Sequence, residues 1–124
     1  MDQDKMESQL IYKICRDAEW EQARQDGVFR GAPVDLADGF IHFSTAAQLR
    51  ETAARHFTGE AGLFLLSVES TTLGDTLKWE VSRGGDLFPH LYGVLALEQI
   101  ISAEPLPLDA AGQHRFPSGF SNGT

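Results

Sequence analysis

The order of apolar and polar residues divides the chain into short strands and two helices. Leu10-Ile11-Tyr12-Lys13-Ile14-Cys15 is dense in β-branched and aromatic residues and predicts a first strand. Asp17 then reads as an N-cap, and Ala18, Trp20, Glu21, Ala23 and Arg24 carry a helix that Gly27 ends. Trp20 and Ala23 share the face expected to pack on a sheet. Val28 to Pro33 reads as a short extended piece, and Pro33 to Ala37 as a lead into a turn at Asp38-Gly39. Phe40, Ile41 and Phe43 suit a central strand. Thr45 followed by Gln48 forms a capping box, which predicts a second helix from about Ala46 to Phe57 with Leu49 and Ala53 on its apolar side. Leu63 to Val68 is the strongest strand signal and belongs in a sheet interior. A turn over Thr71 to Asp75, a short strand over Leu77 to Glu80 and a loop over Ser82 to Gly85 follow. Leu87 to Gly93 is a compact aromatic segment, Val94 to Leu97 a short strand or turn, and Ile100 to Glu104 a last strand. Strands this short, mixed with two early helices, predict an α+β fold rather than a regular βαβ alternation.

Length and composition sharpen that picture. A chain of 124 residues forms one domain, expected over residues 10–108, after a flexible lead-in (1–9) and before a weakly ordered Pro-, Gly- and Ser-bearing tail (109–124). The formal net charge of −8 argues against binding nucleic acid through its phosphates, yet leaves a small nucleotide-like ligand open. The single cysteine, Cys15, forms no internal disulfide and sits in an apolar run, so it reads as a packing residue in a reducing, cytoplasmic setting. No apolar run approaches the roughly 20 residues that cross a bilayer, and the N-terminus lacks the pattern of a signal peptide. Oligomeric state is not encoded in any pattern here.

Two stretches concentrate chemistry. In Gly39 to Gln48, His42 and Ser44 fall on one side of a strand, next to the Thr45 hydroxyl and the unpaired N–H groups of a helix start. That set suits an anion or a sugar hydroxyl; the plainer alternative is a core strand whose histidine is bonded to a backbone carbonyl. In Trp79 to Gly93, Ser82-Arg83-Gly84-Gly85 can bring backbone N–H groups and a guanidinium to a phosphate. Trp79, Phe88 and Tyr92 can offer a flat surface to a nicotinamide or adenine ring, while Glu80 and His90 add a carboxylate and an imidazole. The plainer alternative there is a surface loop tied down by aromatics. His42 and His90 lack a partner at metal-ligand spacing, His56 reads as a helix-end residue and His114 lies in the tail, so no metal site is expected. Asp35 and Asp38 read as turn formers rather than general bases. Neither a nucleophile elbow nor a Gly-rich dinucleotide or P-loop motif is present.

Together, Ile11-Tyr12-Lys13-Ile14, Asp38-Gly39-Phe40-Ile41-His42-Phe43-Ser44-Thr45-Ala46 with Gln48, Leu77 to Glu80, and Leu87-Phe88-Pro89-His90-Leu91-Tyr92-Gly93 resemble the bacterial domain of unknown function 952 family, over Leu10 to about Pro107. That family is grouped with the ADP-ribosyltransferase-like superfamily. The resemblance therefore implies a split, curved β-sheet flanked by helices. The Ile41 to Thr45 stretch is similar to a segment of the RNA 2′-phosphotransferases of that superfamily, which use NAD as a phosphate acceptor. Lys13 stands where superfamily members often carry a histidine that contacts NAD, and the arginine triplet of the phosphotransferases is not evident. The resemblance implies an enzyme acting on NAD or an ADP-ribose-like compound, NAD entering as a substrate. His42, Glu80 and His90 would then be the catalytic candidates, with Glu80 as the carboxylate near the ribose. Lys13, Ser44, Thr45, Trp79, Arg83 and Tyr92 would be the substrate-binding candidates. The alternative is a non-catalytic module that binds a nucleotide or small metabolite in the same cleft.

Overall fold

A strand buried on both faces organises the molecule. In the computed structural model, which describes residues 9–117, β1 (Leu10–Arg16) lies between two other strands and buries Ile11 through Cys15. Alternation sends Ile11, Lys13 and Cys15 to one side and Tyr12 and Ile14 to the other. The chain continues through α1 (Asp17–Asp26), β2 (Val28–Phe29), α2 (Pro33–Asp38), β3 (Ile41–His42), β4 (Ser44–Thr45), α3 (Ala46–His56) and β5 (Leu63–Glu69). A 3-10 segment (Ser70–Thr76) leads to β6 (Leu77–Val81), a short turn (Arg83–Gly85), β7 (Leu87–Leu91), β8 (Leu95–Ala96) and β9 (Ile100–Leu106).

These strands form an α+β domain with three antiparallel sheets, ordered β4-β1-β5-β9, β3-β7-β6 and β2-β8. On one side of the largest sheet, Tyr12, Ile14, Leu63 and Leu65 pack against Leu49 and Ala53 of α3. On the other, Ile11, Cys15, Leu66 and Val68 meet Ile41 and Leu91 of the three-stranded sheet, together with Phe29, Phe43 and Leu95. The layers are therefore α3, the four-stranded sheet and the smaller sheets. Burying β1 and β5 on both faces explains why both read as nearly unbroken apolar runs.

Two sequence expectations change. The segment Pro33–Asp38 is helical, not a lead into a turn. Pro33 opens the helix where its missing N–H is harmless, and Gly39 closes it at φ 89, a left-handed conformation in which its N–H bonds Asp35 O at 2.8 Å. The expected central strand is also two strands. Ile41 and His42 pair with β7, whereas Ser44 and Thr45 pair with β1. Phe43 sits buried between them, so this segment carries the chain from one sheet to the other. After β9, Leu108 bridges His114, His114 Nε2 bonds Glu60 O at 2.9 Å, and the Arg50 guanidinium covers the Phe116 ring. Residues 1–8 of the lead-in and 118–124 of the tail lie outside the described residues.

Candidate functional site

The crossing between sheets fixes where His42 points. His42 on β3 and His90 on β7 are direct cross-strand partners, and their ring centroids are 5.5 Å apart. Phe40, just before β3, stacks on His90 at 4.1 Å and contacts His42 at 4.5 Å, so one ring braces both imidazoles. Both histidines line a cavity of about 760 Å³. Its apolar wall includes Tyr12, Ile14, Leu49, Phe57 and Phe88, and its polar lining includes Arg16, Asp38, Ser44, His56 and Ser82.

Each imidazole is held by carboxylate. His42 Nδ1 lies 2.6 Å from Asp35 Oδ1, and Nε2 lies 2.9 Å from Asp38 Oδ2. A carboxylate can only accept, so each contact is satisfied when the facing nitrogen carries a proton. Asp35 is 1% exposed and gathers further donors: Lys13 Nζ at 3.0 and 2.8 Å, Ala32 N at 2.8 Å and His42 N at 3.1 Å. Burial alone pushes the Asp35 carboxyl up, but the bond from His42 and the charge and bond of Lys13 outweigh it and bring the carboxyl down to about 2. At the neighbouring strands, Glu80 Oε1 takes His90 Nδ1 at 2.7 Å and the Tyr92 hydroxyl at 2.8 Å. The bond to His90, then that from Tyr92, hold the Glu80 carboxyl below its ordinary value, and the same contact raises the Tyr92 phenol.

Of the residues singled out in the sequence, Lys13, His42, Ser44 and His90 line the cavity. Ser44 Oγ also pairs with Thr52 Oγ1 at 2.8 Å. Glu80 and Tyr92 stand behind His90 rather than along the cavity wall. Trp79, expected to stack on a base, instead packs against the main core. The Thr45 hydroxyl accepts from Gln48 N at 3.3 Å and serves the start of α3. Arg83 opens the turn before β7; its side chain lies outside what is described. Sequence reasoning missed Asp35, Asp38 and Phe40. The signal for Asp35 was there: Pro33 followed by an acidic residue two positions on is a helix start, and the carboxylate caps Ala32 N. Among the described residues, no group of three or more His, Cys, Asp or Glu side chains is arranged to hold a metal ion, and no helix is long and apolar enough to cross a membrane.

An α+β domain with a histidine-lined cavity defines the class. The family model described as "Protein of unknown function (DUF952)" matches residues 14–103, and the chain belongs to that family. It is similar to protein CC0527 from Caulobacter crescentus. The crystal structure of CC0527 is 52% identical, covers 86% of this chain and 94% of its own, and superposes with a TM-score of 0.83. The solution NMR structure of CC0527 gives 54% identity, coverage of 84% and 90%, and a TM-score of 0.76. No curated protein matches the chain.

Proposed function

We propose that the cleft takes a nucleotide of the NAD or ADP-ribose type, and that the two-sheet core is a variant of the split sheet of the ADP-ribosyltransferase-like superfamily. One observation carries the reading: two imidazoles distant in sequence meet across a strand pair on one cavity, each gripped by a carboxylate. A volume of about 760 Å³ lies within the range of small-molecule sites. The exposed edge of Asp38 and the His42 ring suit ribose hydroxyls, because a carboxylate accepts from O–H groups and an imidazole can do either. Phe57 and Phe88 supply flat apolar surface for a base. With Nδ1 committed to Glu80, His90 acts through Nε2 as the proton-transfer group. In this reading Glu80 orients that ring through its contact with His90 Nδ1.

Calorimetric titration of NAD and ADP-ribose into the wild type and His42→Ala tests this. Binding by the wild type with at least tenfold weakening in the variant is expected; no heat from either ligand at millimolar concentration sinks it. A second reading, a non-catalytic nucleotide-binding module, draws support from Glu80, whose Oε1 is already engaged by His90 and Tyr92. Nicotinamide release from NAD, lost in His90→Gln with binding retained, selects the enzyme; a thermal shift without turnover selects the module.

A further inference from the structure

Asp35 is buried more deeply than a helix-capping residue needs to be. Capping Ala32 N and accepting from His42 N would hold α2 against β3 without further partners. Yet Lys13 reaches it from β1, in the other sheet, and is itself only 6% exposed. The remaining bond goes to a side chain that lines the cavity, His42 Nδ1 at 2.6 Å. Gly31, at φ 120, leaves the room for this arrangement, since a Cβ there would lie 2.8 Å from Asp35 Cβ. On the far side of the same imidazole, Nε2 faces Asp38, whose side chain is 47% exposed at the cavity. One carboxylate is thus sealed in place with its own cation, and the other is open to solvent.

We propose that Asp35, with Lys13 behind it, is the positioning residue of the cleft: it keeps the proton on His42 Nδ1 and so directs Nε2 to whatever replaces Asp38. The Asp38 carboxylate, 2.9 Å from Nε2, then marks the place that a hydroxyl of the bound ligand takes. The ring cannot turn over without breaking the Asp35 bond, and Phe40 stacked alongside opposes the same rotation. A carboxylate behind an imidazole fixes which nitrogen carries the proton. The inference rests on the nucleotide reading for the identity of the hydroxyl, but its statement about the ring does not.

The test is a long-range proton–nitrogen NMR spectrum of the imidazoles at pH 7.5, in the wild type, in Asp35→Asn and in Lys13→Met/Asp35→Leu. The wild type is expected to show a protonated Nδ1 on His42. In the double variant no acceptor remains at Nδ1 and Asp38 still accepts at Nε2, so the proton is expected on Nε2 alone. His90, held by Glu80, keeps its pattern and reports that the fold is intact. Asp35→Asn preserves side-chain volume and serves if the double variant does not fold; its expected sign is a His42 nitrogen shift with none at His90. An unchanged His42 spectrum in a folded variant overturns the proposal. ADP-ribose titrated into the same proteins is expected to bind at least tenfold more weakly to the variants. Equal affinity with a switched ring overturns the positioning role, whereas no binding to the wild type overturns the nucleotide reading and leaves the ring assignment to the spectra.

Discussion

Replacing Lys13 with Met removes the cation from a carboxylate that has no access to water. The side chains are similar in length, so packing changes little and the electrostatic consequence dominates. In the wild type, Nζ lies 2.8 Å from Asp35 Oδ2 and 3.0 Å from Oδ1, with the two residues 6% and 1% exposed. Breaking a buried pair by removing one partner costs about 3–5 kcal/mol, a large part of the roughly 5–15 kcal/mol that holds a domain of this size. The bonds from His42 and Ala32 remain, which puts the expected loss near the lower end, at about 3 kcal/mol. Urea denaturation at pH 7 measures it as a fall in midpoint at constant slope. The pH dependence has a defined sign. Asp35 is depressed to about 2 when folded, so its contribution is fully present above the unfolded value near 4 and is lost as pH falls through about 2. Without Lys13 the folded carboxyl titrates higher and takes up a proton sooner. The penalty therefore shrinks as pH falls towards about 2. A loss below about 1 kcal/mol, or one that grows on acidification, refutes the argument that Lys13 is the counter-charge of a buried carboxylate.

Three further outcomes follow from the same geometry. Gly31→Ala brings a Cβ against Asp35 at a φ that L-residues rarely adopt, so thermal unfolding should show destabilisation of about 1–3 kcal/mol; an unchanged midpoint contradicts it. Thr45→Ala removes the cap of α3 and should lower stability by about 1 kcal/mol in chemical denaturation while leaving ADP-ribose affinity unchanged, because the hydroxyl serves Gln48 N. A tenfold affinity loss would return Thr45 to the ligand site. Cys15 is fully buried and its thiol is pushed up to about 12, by burial first and then by Glu19, so iodoacetamide at pH 8 should leave it unmodified until the protein is unfolded, as read by mass spectrometry.

What local pattern encodes was legible. The box formed by Thr45 and Gln48 places the start of α3 where the structure has it, with Gln48 Oε1 taking Thr45 N at 3.0 Å. The run Leu63–Val68 is an interior strand between β1 and β9 because an apolar run of that length must be covered on both faces. The short helix over Pro33–Asp38 was harder to see. Its apolar residues Val34 and Leu36 are 56% and 65% exposed, so it shows no buried stripe for periodicity to detect.

The sequence by itself determined the α+β class, the main strands, the capped helix and the two histidine-bearing stretches, because propensity, capping and periodicity act over a few residues. Only the tertiary structure decided that the segment around Phe43 joins two sheets, that His42 and His90 face each other, and that Trp79 packs against the core. It also turned Asp35 from an apparent turn residue into a buried carboxylate on which α2, β1 and β3 converge. That role depends on Lys13 arriving from another sheet, and a carboxylate keeps its charge in a dry interior only when distant donors converge on it.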